Sequence, residues 1–126
     1  MSGMQSPNNL RVMAEAEELA YLTYRATANF PRDERFGLVS QMRRAAISIG
    51  SNIVEGCDRH GNPTLIQFLQ TALGSAGELR FQLRVARRLG FGGDDELAEL
   101  ADKADKADKV HRMLVRLITA LRARSQ

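Results

Sequence analysis

A chain of 126 residues is long enough to bury one sizeable core and is most simply one domain. Its composition, 44% hydrophobic and 26% charged, is that of a soluble globular protein, and no apolar run approaches the roughly 20 residues a membrane span needs. The formal charge of +3 is uneven: residues 1–60 hold seven basic and seven acidic side chains, residues 94–126 again seven and seven, and residues 61–93 hold Arg80, Arg84, Arg87 and Arg88 against Glu78 alone.

Residues 1–7 are polar, end in Pro7, carry no basic-then-apolar secretion signal and read as a loose tail. Asn8 or Asn9 is placed to cap a first helix over about 9–28, with Val12, Ala16, Leu19, Ala20 and Tyr24 on its buried side. Glu15, Glu17 and Glu18 lie toward its start, where acids suit the helix dipole. Phe30 precedes Pro31 and is pushed away from helical angles, which makes the first break.

Asp33 is then expected to cap a second helix over 33–56, with Gly56 ending it in a left-handed conformation. Two stripes run along it. Leu38, Val39, Met42, Ala45, Ala46, Ile49 and Ile53 make the apolar one. Beside it Gln41, Arg44, Ser48, Asn52 and Glu55 recur at the same steps, a polar seam of groups able to satisfy one another in a packed site. A network between helices is the plainer reading of that seam and a functional surface the sharper one. Arg44 is expected in the seam with Glu55, reaching toward Glu78, and Arg43 at a surface or subunit contact.

Residues 57–63 form the second connection, and Asn62 or Thr64 with Pro63 starts a third helix over 63–89. Leu65, Phe68, Leu69, Ala72, Ala76, Leu79, Leu83 and Ala86 are its main apolar stripe, while Ile66, Phe81 and Val85 fall nearly opposite. A helix apolar on two sides points to a neighbouring subunit, so these three are the candidate oligomer interface. Gly74 and Gly77 each cost roughly 1 kcal/mol against alanine in a helix, which a close approach to Ala45, Ala46 and Gly50 would offset. Gly90 and the glycines after it break the chain a third time. A fourth helix over 94–122 follows, its seam Leu100, Ala104, Ala107, His111, Leu114, Ile118 and Leu121. The expected architecture is all-α, an antiparallel up-down-up-down four-helix bundle occupying residues 8–124.

The run FPRDERFGLVSQMRRAAISIGSNIVEG from Phe30, followed by LIQFLQTALGSAGELRFQLRVARRLGF from Leu65, resembles the four-helix proteins encoded in bacterial 23S rRNA intervening sequences. Leu10, Val12, Ala16 and Leu19 fit that family's first helix, with Met13 where the family usually has Trp. The resemblance covers nearly the whole chain. It implies a homo-oligomer, with barrel-like pentamers known in the family. It also implies a distant kinship with the accessory variability determinant proteins of diversity-generating retroelements, basic pentameric bundles that bind nucleic acid and a reverse transcriptase. The family's own biochemical role is poorly defined.

Arg80, Arg84, Arg87 and Arg88 share about 100° of arc on the third helix and are the candidate nucleic-acid surface, since guanidinium groups stay charged and grip two phosphate oxygens at once. The competing reading spends them on ion pairs with acids such as Asp94, Asp95 and Glu96, or at subunit interfaces of a protein-partner scaffold. Aromatics interleaved with the arginines are not expected at the surface, so RNA or DNA would be gripped by backbone or shape. Glu55, Cys57, Asp58 and His60 crowd one loop without a metal-ligand spacing, and His111 reads as a hydrogen-bonded core histidine. Nothing matches a catalytic triad, a phosphate loop or the inward Glu-x-x-His pairs of carboxylate bundles. The expectation is a non-enzyme without metal or cofactor. The lone Cys57 fits the cytoplasm.

Overall fold

The computed structural model describes residues 7–91 and 93–124, with the side chains of 9–91, 102 and 104–124. Its elements are α1 (Pro7–Thr27), a short 3-10 turn (Arg32–Glu34), α2 (Leu38–Asp58), α3 (Asn62–Arg88) and α4 (Gly93–Arg124), with no strand among the described residues. At 1.5 Å per residue the helices run from about 31 Å to about 48 Å. Each packs on the next in the chain and α4 packs back on α1, while among the described residues the backbones of α1 and α3, and of α2 and α4, stay more than 8 Å apart. Four rods so arranged enclose one core.

That core follows the 3.6-residue repeat. On α2, Met42, Ala46, Ile49 and Ile53 are completely buried, and on α3 so are Leu69, Ala72, Ala76, Leu79 and Leu83. Each large side chain among them is worth about 1.5–3 kcal/mol of burial. Along α2 and α3, Ser48 meets Ser75, and Gly56 lies against Leu65 and Phe68. Along α1 and α4, Glu15 meets Lys109. At one end Phe30 and Phe91 pack with ring centroids 5.3 Å apart, tying the α1–α2 connection to the α3–α4 connection.

Several expectations are corrected. The second helix begins at Leu38, because Arg32–Glu34 form a tight turn. Asp33 does not cap it; the Glu34 carboxylate accepts the Leu38 N–H at 3.2 Å. Gly56 is inside α2 and not left-handed, since positive φ occurs only at Gly61 and Gly90 among the described residues. It is buried where α2 and α3 approach: an added Cβ would stand 2.8 Å from Phe68 Cβ. Gly74 and Gly77, expected at such an approach, face open space, with nothing within 4 Å of an added Cβ.

On α1 the stripe continues through Thr23 and Thr27, and Tyr24 is exposed. The threonines enter the core because their hydroxyls donate one turn back, to Leu19 O at 2.7 Å and Thr23 O at 2.8 Å. On α4, Val110 takes the fully buried place expected of His111, which is half-buried beside it. Pro7 heads α1 rather than ending a tail, and residues 1–6 and the side chains of Asn8 and Leu100 lie outside the described residues. Among the described residues no helix is long and apolar enough to cross a membrane.

Candidate nucleic-acid interface

The four arginines of α3 divide by what surrounds them. Arg80 faces α4, and its Nη2 lies 2.9 Å from Asp108 Oδ1, with the guanidinium side chain only 27% exposed. Asp108 also holds Arg112 at 2.7 Å, so one carboxylate serves two cations. Arg84, Arg87 and Arg88 are exposed, and none forms an ion pair among the described residues. The side chains of Asp94, Asp95 and Glu96, the acids expected to neutralise them, lie outside the described residues. The Phe30–Phe91 contact brings Arg32 and Arg35, both exposed, to the same end as Arg87 and Arg88.

Phe81 stands in this ridge, 65% exposed and one turn before Arg84. An aromatic thus lies among the arginines where none was expected. It is not joined by the other two residues assigned to an oligomer interface: Ile66 packs against the core of its own chain and Val85 is half-buried. The three do not make one exposed strip.

The polar seam resolves into a groove and a separate pair. Gln41, Arg44, Ser48 and Glu78 line a groove of about 350 Å³ between α2 and α3, together with Ser75 and Gln82. Ser75 Oγ–H donates to Ser48 Oγ at 2.9 Å, and Asn52 Nδ2 donates to Ser48 O at 2.8 Å and to Ser48 Oγ at 3.0 Å. Glu78 is exposed and makes no ion pair with Arg44. Glu55 leaves the seam and pairs with Arg59 one turn on, not with Arg44. Ser75 and Gln82 were missed, although Ser75, Glu78 and Gln82 recur at three and four residues as the α2 seam does.

Arg43, expected at the surface, is held within the chain. Its Nε donates to Thr27 Oγ1 at 2.9 Å and its guanidinium lies 4.6 Å from the Tyr24 ring centroid. Cys57 is buried, and burial first, then the Asp58 charge, pushes its thiol up in pKa. No group of His, Cys, Asp and Glu among the described residues is placed to hold a metal. His111 is pushed down by burial and by Arg80, against a smaller upward pull from Asp108.

A sequence profile of the 23S rRNA-intervening sequence protein family matches residues 8–116. The chain belongs to that family. No curated protein matches it. Among solved structures, a protein of unknown function from the S23 ribosomal protein family of Bacteroides thetaiotaomicron VPI-5482 superposes with a TM-score of 0.74, covering 89% of this chain and 98% of that one. At 21% identity this likeness shows that the two share a fold.

Proposed function

We propose that this family member is a non-catalytic nucleic-acid-binding protein, an antiparallel up-down-up-down bundle that works as a cytoplasmic homo-oligomer. The observation that carries the reading is the contrast on α3: Arg80 is held by Asp108, while Arg84, Arg87 and Arg88 are exposed without an acid partner among the described residues. Guanidinium groups held on a rigid helix grip phosphate oxygens at little ordering cost. The family's name, which refers to an intervening sequence of 23S rRNA, makes RNA the first ligand to try. The antiparallel arrangement is supported by the pairing of Ser48 with Ser75 and of Gly56 with Leu65, in which the α3 number falls as the α2 number rises.

Three phosphate contacts per subunit on single strands give a slope of log K against log salt of about −2, and a ring of five, as the resemblance implies, multiplies it. The test is anisotropy titration of labelled RNA and DNA at two salt concentrations. Tight, salt-sensitive binding should be lost when Arg84, Arg87 and Arg88 are all replaced by alanine. Binding unchanged in that variant would overturn the proposal.

A second reading, a scaffold built on self-association, is favoured by an apolar groove of about 320 Å³ between α1 and α2. Met13, Ala16, Ala20, Gly50 and the exposed Ile47 and Val54 line it. Ile47→Lys should then lower the sedimentation coefficient. Dissociation in the triple arginine variant instead would assign those arginines to subunit contacts.

A further inference from the structure

We infer that Phe81 is a base-stacking platform and that the α3 ridge takes single-stranded rather than duplex nucleic acid, an inference that rests on the binding function proposed above. The chain has five Phe, two Tyr and no Trp, and every aromatic ring but one is engaged. Phe30 and Phe91 pack on each other. Tyr21, Tyr24, Phe36 and Phe68 each carry an arginine guanidinium over the ring, at 5.8, 4.6, 4.8 and 5.9 Å from the centroid. Phe81 has neither partner among the described residues, although Arg84 and Arg88 follow it at three and seven residues. Its ring and those guanidinium groups are presented side by side and left unsatisfied by one another.

The ground next to the ring is clear as well. Helical side chains lean toward the N-terminus, which directs Phe81 over the stretch holding Gly77 and Gly74. A Cβ at either glycine would meet nothing within 4 Å. Neither glycine puts a side chain on that ground, and Glu78, three residues before Phe81, is exposed. Two glycines in mid-helix are unfavourable, and no close helix packing accounts for them here. They leave open space before an exposed ring, with arginines after it. An unpaired base can lie on such a ring while its flanking phosphates reach Arg84 and Arg88. In a duplex the base faces are already stacked, and one ring on a convex helix reaches none of them.

The absence of Trp supplies the probe. Phe81→Trp introduces a single indole, and titration with a 20-mer of oligo(U) or oligo(dT) should quench its emission, whereas a 20-bp duplex should not. Phe81→Leu, which keeps an apolar side chain at an exposed site, should weaken single-strand binding roughly 5- to 100-fold and leave duplex binding unchanged. Equal affinity of the wild type and Phe81→Leu for single strands, with binding still lost in the triple arginine variant, would overturn the stacking role and leave the basic surface standing. No binding to either nucleic acid would remove both. A change in sedimentation on Phe81→Leu would make this ring a contact between copies of the chain, which also overturns the inference.

Discussion

Replacing Gly56 by alanine should destabilise this protein, while the same change at Gly74 or Gly77 should stabilise it. All three lie inside helices, where alanine is favoured over glycine by about 1 kcal/mol. At Gly56 the new methyl carbon would sit 2.8 Å from Phe68 Cβ and 3.1 Å from Leu65 Cδ1. The leucine tip can swing away. The phenylalanine Cβ moves only with the α3 backbone, so the helices must part at a site in the core. Overpacking of this kind costs about 1–3 kcal/mol, and the rigid neighbour puts the cost near the top of that range. The net loss expected is about 2 kcal/mol, or roughly 8 °C in Tm for a chain of this size. At Gly74 and Gly77 the methyl meets nothing, so each change should add about 1 kcal/mol. Thermal and urea unfolding followed by far-UV circular dichroism measure all three. Gly56→Ala as stable as the wild type would refute the close approach of α2 and α3, and a loss at Gly74 would refute the open face.

Asp108→Asn should cost only about 0.5 kcal/mol, because the Arg80 pair is partly solvated, and it should strengthen RNA binding and steepen its salt dependence by freeing Arg80; titration at two salt concentrations reads both. Ser48→Ala removes the acceptor shared by Ser75 and Asn52 and should lower the urea midpoint by the equivalent of about 1–2 kcal/mol, with Ser75→Ala costing less since Asn52 keeps its bond to Ser48. His111 has a folded-state pKa below its ordinary value, so it stabilises the fold fully above that value and the contribution is lost as pH falls through the lower, folded value; His111→Gln should flatten the fall in Tm over that window.

Within single helices the sequence was informative. Met42, Ala46, Ile49 and Ile53, like Leu69, Ala72, Ala76, Leu79 and Leu83, could be assigned to the core because a 3.6-residue period decides which side chains share a face. The arginines of α3 were visible as a local charge excess. Their division was not: Arg80 is neutralised by Asp108, 28 positions away in sequence, and nothing in the spacing of either helix marks that carboxylate as its partner. The same gap misplaced Arg43, whose partners Tyr24 and Thr27 come from α1. Glu55 was misplaced for a different reason: its partner Arg59 is one turn on, a four-residue spacing that was legible in the sequence.

What the chain determined by itself is the set of helices, their breaks at Pro and Gly, and the stripe each turns inward, since these depend on the backbone and on residues three or four apart. Only the tertiary structure decided which glycines are packed and which lie open, which arginines are paired among the described residues, and that Phe81 is exposed with no ring or guanidinium partner among them. Those outcomes depend on the rotation and height of each helix against its neighbours, and that relative phase is set by the packing of all four together.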